Sequence, residues 1–367
     1  MLEQAHIHGR LSERRRVTIN DLADALGLTK GTVSRALNDY PDISPATRQR
    51  VKRQAERMGY QPLAQAQAIR TGRSRAIGLV LQTDVEGAQR PFLANFLEGV
   101  TREASAAGWT LTVATSAGED EMLRTLSRLV EERKADGFIL PRTHANDARM
   151  QYLRDAGVPF VLYGRVRDPR DCAWFDMLGE NAIRSATLRL VEHGHHRIGF
   201  VNGGLEYNFS HLRRAGYGEG LRDAGMELDE ALVVDGAMTR VQGAEATMAL
   251  LSRPAPPTAI VFAVDLAALG AYDVAEGTGL LIGRDLSVIS YDGIPESRWV
   301  APRLTTFSVD SRLAGAKLAE LLIRRVRGAD PESLRETAEA ELQAGGSDGP
   351  PCLTSEEIAQ RMAASAV

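Results

Sequence analysis

The stretch from Val17 to Arg73, VTINDLADALGLTKGTVSRALNDYPDISPATRQRVKRQAERMGYQPLAQAQAIRTGR, leaves this chain the fewest choices. It holds three short helix signals, a turn between the first two and a basic tail, in a segment too small for much beyond a binding head. Thr18 can cap a helix while Asp21, three residues on, completes a capping-box-like pair. Ile19, Leu22, Ala23 and Leu26 then fall at the i, i+3, i+4, i+7 spacing of one buried face, and Gly27 supplies the left-handed residue that ends the helix. A second helix is predicted to restart at once from Thr29. Its Val33, Ala36 and Leu37 face inward, which leaves Lys30, Gly31, Thr32, Ser34 and Arg35 for something wet or charged. Ser44 and Pro45, cap then first-turn proline, announce a third helix through Val51, Ala55 and Met58 to Gly59. This is the helix-turn-helix arrangement, whose second helix lies in the major groove of DNA. Periodicity alone also allows an ordinary three-helix bundle with a solvated basic face.

Charge separates the two readings. The 367 residues carry a net charge of −4, yet residues 1–75 hold 14 Lys/Arg against 7 Asp/Glu while the rest holds 30 against 41. The basic part is the part suited to meet phosphate. With 44% apolar and 25% charged residues the composition is that of a soluble protein able to bury sizeable cores. Cys172 and Cys352 match no metal or redox spacing, which fits a reducing, cytoplasmic setting. There is no eighteen-residue apolar run, and Arg14, Arg15 and Arg16 precede no apolar segment, so neither a membrane anchor nor a secretory signal is expected.

After Tyr60 and Pro62 comes LAQAQAIRTGR, good helix formers with almost no apolar stripe, marginal as an isolated helix. From Ala76 the texture becomes strand and helix in alternation: AIGLVL, PFLANFLEGVTREASAAG, WTLTVAT, LRTLSRLVEERKADG, FIL, MQYLRDAG and PFVLYG. A second series follows from ENAIRSATLRLVEHG through HRIGFVNG to DLSVISYD. Buried β-branched runs between amphipathic helices call for parallel sheets with right-handed crossovers, and hence for two α/β lobes.

Three phrases of the head, TINDLA at Thr18 to Ala23, TVSRALN at Thr32 to Asn38 and SPATRQRV at Ser44 to Val51, closely resemble the head of the LacI/GalR family of bacterial transcriptional regulators. Further phrases extend the resemblance: Arg90-Pro91-Phe92, His195-His196-Arg197-Ile198, Arg213 with Ala215-Gly216-Tyr217, Asp265 with Ala268-Leu269-Gly270, Tyr291-Asp292, and Pro302 with Leu304-Thr305-Thr306 and Asp310. SDGPP at Ser347 to Pro351 resembles the end of the family's core. The implied fold is α/β: a three-helix helix-turn-helix head plus hinge helix, joined to a two-lobed periplasmic-binding-protein-like core of doubly wound parallel sheets. The expected divisions are a flexible tail at 1–16, the DNA-binding domain at 17–62, hinge helix and linker at 63–75, the core at 76–351 and a C-terminal tail at 352–367. Within the core, lobe 1 is expected at about 76–162 plus 303–330 and lobe 2 at about 163–302. The tail reads as an extra short helix, with no tetramerising heptad.

By the same resemblance Lys30, Gly31 and Arg35 stand at base-reading positions, and Arg35 suits guanine O6 and N7. Thr18, Thr29, Thr32, Ser34, Asn38 and Tyr60 stand where the family contacts phosphate, Thr18 and Thr29 doubling as caps. Ile69 takes the place of the hinge residue that wedges into the minor groove, and Gln67 lies beside it. For the cleft between the lobes, Arg213 and Asp292 are expected to pair with hydroxyls of a sugar-like effector. Phe92, Trp174, Phe175 and Tyr207 are aromatic candidates to stack on it, and Arg165 and Asp265 complete the set. Gly164 and Val264 stand where the family often has aspartate and asparagine, which opens space and favours a disaccharide or α-glucoside.

His193, His195 and His196 lack metal-ligand spacing and read as a surface turn, and no G-x-G-x-x-G follows the first strand, so no metal or cofactor is expected. The chain is therefore expected to be no enzyme but a cytoplasmic, homodimeric repressor that binds a near-palindromic operator under control of a sugar effector. A sugar-binding protein without regulatory output, or a sugar-processing enzyme with an accessory head, are the alternatives.

Overall fold

The computed structural model describes residues 17–60, 72–82 and 90–365, without the side chains of residues 90–92 and 365. The expected hinge residues Gln67 and Ile69 and the side chain of Phe92 lie outside that description. The chain forms two compact units, residues 1–74 and 75–367.

In the first unit α1 (Ile19–Leu26), α2 (Lys30–Leu37) and α3 (Pro45–Met58) enclose a core of Leu22, Ala23, Val33, Ala36, Val51 and Ala55. Each helix starts where its cap chemistry dictates. Thr18 and Asp21 form the reciprocal capping box, and Thr29 and Ser44 accept from the backbone N–H of Thr32 and Thr47. Gly27 and Gly59 end α1 and α3 at φ of 62° and 66°, a conformation that a side chain resists.

The second unit is built on two six-stranded sheets. The first sheet uses β1 (Ala76–Gln82), β2 (Thr110–Ser116), β3 (Gly137–Leu140), β4 (Phe160–Tyr163), β5 (Ala173–Met177) and, much later, β11 (Arg335–Ala338). Its order is β11-β5-β4-β3-β1-β2, parallel throughout. Helices α4 (Arg90–Ala106) and α11 (Ser311–Val326) cover one face, and α5 (Glu119–Glu131) and α6 (Ala148–Asp155) the other. The second sheet runs β12-β10-β9-β8-β6-β7, from β6 (Ile198–Val201), β7 (Val233–Val234), β8 (Ala259–Phe262), β9 (Ser287–Asp292), β10 (Thr305–Ser308) and β12 (Glu341–Gln343). Only β12 runs antiparallel to its neighbour. The helices of this lobe are α7 (Gly179–Glu192), α8 (Asn208–Asp223), α9 (Arg240–Leu251), α10 (Asp265–Thr278) and α12 (Ser355–Ser365).

The pairing moves the expected lobe limits. β5 joins the first sheet although it lies beyond residue 162, and β10 joins the second although it lies beyond 302. The chain therefore passes between lobes three times: between β5 and α7, between β10 and α11, and between β11 and β12. Two short edge strands, β11 and β12, carry too little apolar pattern to stand out in the sequence. The last segment does form a helix, and α12 docks Ile358 and Met362 into the second lobe's core. His195 is not on a surface turn. It is buried, with Nδ1 2.8 Å from Thr258 Oγ1 and Nε2 2.9 Å from Gly349 O, and so ties the C-terminal segment to the sheet.

Candidate functional site

On the head, α2 presents Lys30, Gly31 and Arg35 exposed and side by side with half-buried Thr32 and Ser34. The reason is periodicity: once Val33 and Ala36 enter the core, these positions have no other face to occupy. Gly31 adds no side chain, so the donors on this face are Lys30, Arg35 and hydroxyls. Arg35 pairs with Asp42 and lies 5.8 Å from the centre of the Tyr40 ring. Several expected phosphate contacts hold internal bonds as well. Thr18 and Thr29 cap helices, Thr32 Oγ1 lies 2.9 Å from Thr29 Oγ1, and Asn38 Nδ2 donates to Ser34 O at 2.6 Å. Tyr60 is half-buried and packs on the head's core.

Between the lobes lies a cleft of about 650 Å³ at the carboxyl ends of strands from both sheets, within the roughly 300–1,000 Å³ of small-molecule sites. Arg213, from the second turn of α8, is its centre. The guanidinium carbon lies 3.9 Å from the Tyr291 ring centre and 4.5 Å from that of Phe209. Nη1 donates to Ala263 O at 2.6 Å, and Nη2 lies 3.9 Å from Asp292 Oδ1. Both aromatic faces are thus already covered by the cation, which leaves the ligand to be read by hydrogen bonds more than by stacking. Gly179 allows the close approach of α7, since a Cβ there would stand 3.0 Å from Arg213 Nε.

Asp292 ends β9 at a φ of 135°, a region that carbon-substituted residues avoid, and Gly293 follows at 74°. Asp265 holds that turn. Its Oδ2 accepts from the N–H of Gly293 at 2.8 Å and of Ile294 at 2.9 Å, and its Oδ1 from Thr306 Oγ1 at 2.6 Å. Asp265 is fully buried and does not line the cleft, so it shapes the loop that presents Asp292 rather than meeting a ligand. Burial pushes the Asp292 carboxyl up to about 7, against the pull of Arg213. Burial likewise raises Asp176 to about 6, against the pull of Arg165.

The other expected effector residues divide. Phe175 points into the first lobe's core and is 3% exposed. Trp174 points to the opposite layer, under the Arg335 guanidinium at 4.5 Å. Side chains alternate along a strand, and helices cover both faces of this sheet, so neither aromatic reaches the cleft. Tyr207 is buried just before α8, stacked on Phe209 at 5.4 Å, and does not line the cleft. Arg165 also stays off the lining. It donates Nε to Asp176 Oδ2 at 2.6 Å and pairs with Glu180, and those two carboxylates are what face the cleft. Asp176, Glu180, Arg142, Phe209 and Tyr291 are cleft residues that sequence reasoning missed. Among the described residues no cluster of metal-ligating side chains occurs, and no helix is long and apolar enough to cross a membrane.

A head with an exposed recognition helix and a two-lobed core with a polar cleft define a ligand-responsive DNA-binding regulator. Residues 18–62 match the family described as bacterial regulatory proteins, lacI family, and residues 74–343 the periplasmic binding proteins and sugar binding domain of LacI family. The chain belongs to the LacI family. It is 36% identical over 340 residues to the HTH-type transcriptional regulator AglR of Rhizobium meliloti (strain 1021), covering 91% of this chain and 95% of that one. It resembles the solved transcriptional regulator CelR–cellobiose complex with a TM-score of 0.71 and 32% identity, covering 90% of this chain and 100% of that chain. The lac repressor dimer bound to operator and the anti-inducer ONPF shares the fold, with a TM-score of 0.75 at 24% identity over 91% of this chain and 100% of that one.

Proposed function

We propose that this chain is a cytoplasmic, homodimeric transcriptional repressor whose operator affinity is set by a neutral sugar, a disaccharide or α-glucoside, bound in the cleft. The observation that carries the effector class is the mix of one stacked arginine and several carboxylates, Asp176, Glu180 and Asp292, in one cavity. A guanidinium donates to adjacent hydroxyls and carboxylates accept from others, so a polyol without net charge satisfies both. The relative solved with cellobiose supports the same class. Gly164 adds room. It holds a φ of 109°, and a Cβ there would stand 3.1 Å from Thr143 Oγ1 and 3.9 Å from Asp176 Oδ1, where an aspartate would crowd a second carboxylate.

On DNA, Arg35 and Lys30 read base edges, while Thr18, Thr29, Thr32, Ser34, Asn38 and Tyr60 fix the head on phosphates. Gln67 and Ile69 belong to the hinge that enters the minor groove. Two heads on one dimer match two half-sites of a near-palindrome. An inducing sugar must bind the arrangement that is incompetent for operator more tightly, and operator then weakens the sugar by the same factor. Selection of duplexes from a random pool by the purified chain, repeated with maltose, trehalose, sucrose and cellobiose, tests the proposal. A palindromic consensus released by one sugar supports it, and sequence-blind binding indifferent to every sugar opposes it.

A further inference from the structure

Besides its three covalent crossings, the core is joined across the lobes by a polar clasp. Asn208 N donates to Thr143 O and Ala145 N to Glu206 O, each at 2.9 Å, which makes an antiparallel bridge centred on His144 and Tyr207. The two rings meet edge to face at 5.1 Å. Asn208 Nδ2 also reaches across to donate to Arg165 O at 2.9 Å, and Thr143 Oγ1 donates to the same carbonyl at 2.9 Å from within the first lobe. Asn208 and Thr143 are 4% and 3% exposed, so the donors of the two bonds to the Arg165 carbonyl are buried, and breaking those bonds strands them.

Arg165 is held from both lobes at each end. Its carbonyl takes one donor from each lobe. Its guanidinium pairs with Asp176 at the end of β5 in the first lobe and with Glu180 in the first turn of α7 in the second. Both carboxylates line the cleft, and Glu180 Oε2 is buried without a hydrogen-bond partner.

We infer that Asn208 is a positioning residue for effector recognition. By holding the Arg165 carbonyl across the lobe boundary, it fixes the guanidinium that aims Asp176 and Glu180 at the ligand. The polar wall is therefore complete only while the lobes are clasped, and the effector gains its differential affinity for that arrangement there. The inference rests on the reading of the cleft as the effector site.

The test uses the full chain with Asn208→Ala, Arg165→Ala and the double variant, titrated with maltose, trehalose, sucrose and cellobiose. The tightest of these is then followed by stopped flow. Asn208→Ala is expected to weaken that sugar about tenfold, mostly through faster dissociation, and to add less than about twofold in the Arg165→Ala background. A loss of the same size in both backgrounds overturns the inference, because Asn208 then acts without Arg165. Hydrogen exchange without ligand reads the clasp itself: the amides of residues 145 and 208 should open about tenfold faster in Asn208→Ala, after correction for the side chain's effect on intrinsic exchange. Unchanged exchange overturns the clasp. Faster exchange with no sugar bound by any form overturns instead the effector reading, and the inference with it. If Asn208→Ala does not fold, Asn208→Leu removes the same donor while filling the site without burying a charge.

Discussion

Asp292 and Arg213 meet at 3.9 Å only because a third residue, which never touches the cleft, holds the backbone that carries one of them. Removing it leaves the N–H groups of half-buried Gly293 and buried Ile294, and the buried Thr306 hydroxyl, without that acceptor. Asp265→Ala should therefore cost the core about 3 kcal/mol in urea denaturation and weaken the sugar as well. Protonation gives a second prediction. Asp292 and Asp176 have folded pKa values of about 7 and about 6, above the ordinary carboxylate value. The native state thus holds protons that the unfolded chain releases, and this contribution to stability, full at about pH 4, declines as pH rises through 6 and 7. Sugar affinity should run the other way, because hydroxyl donors prefer the ionised carboxylates. Titration calorimetry should show it rising about tenfold from pH 6 to 8, and flattening in Asp292→Asn. Arg213 and Asp292 were legible from the phrases around them, since a shared motif carries position. Asp176 and Glu180 were not: a carboxylate after an apolar strand, or in a helix's first turn, looks like ordinary end chemistry. Asp265 was legible as a place but not as a direction.

At the scale of elements, caps and close crossings decide stability. The reciprocal Thr18–Asp21 box starts α1, so Thr18→Ala should lower the head's stability by about 1 kcal/mol in thermal melts of the full chain. In the core, α4 and α11 touch backbone to backbone. A Cβ on Gly99 would stand 2.0 Å from Arg312 O, and one on Gly315 2.3 Å from Phe96 O. Gly99→Ala should destabilise the core by more than about 2 kcal/mol, whereas Gly218→Ala on α8, which meets open space, should stabilise it by up to about 1 kcal/mol. Equal effects at the two sites would contradict this packing. The head's helices could be read from their caps and apolar spacing because both are local. Which glycine meets a neighbour could not, because that depends on a helix more than 200 residues away.

For the whole molecule, the same chain order that made two lobes legible hid where the lobes divide. Strand pairing, not sequence order, assigns β5 and β10, and the aromatic pair Trp174 and Phe175 went with β5 into packed layers. The clasp at residues 143–145 and 206–208 is likewise a product of tertiary folding that no local pattern announces. The head carries an exposed helix face with Lys30 and Arg35, the core carries a polar cleft, and ligand in the cleft is proposed to change the DNA affinity of the head. The direct measurement is operator affinity of the full chain at fixed salt, with and without a saturating disaccharide, for the unaltered chain, Arg35→Ala and Asp292→Asn. Arg35→Ala should lose about 1–3 kcal/mol of discrimination at one base pair, with the sugar response retained. Asp292→Asn should keep operator binding and need more sugar for the same response. If the disaccharide binds the unaltered chain and leaves its operator affinity unchanged, the cleft does not control the head.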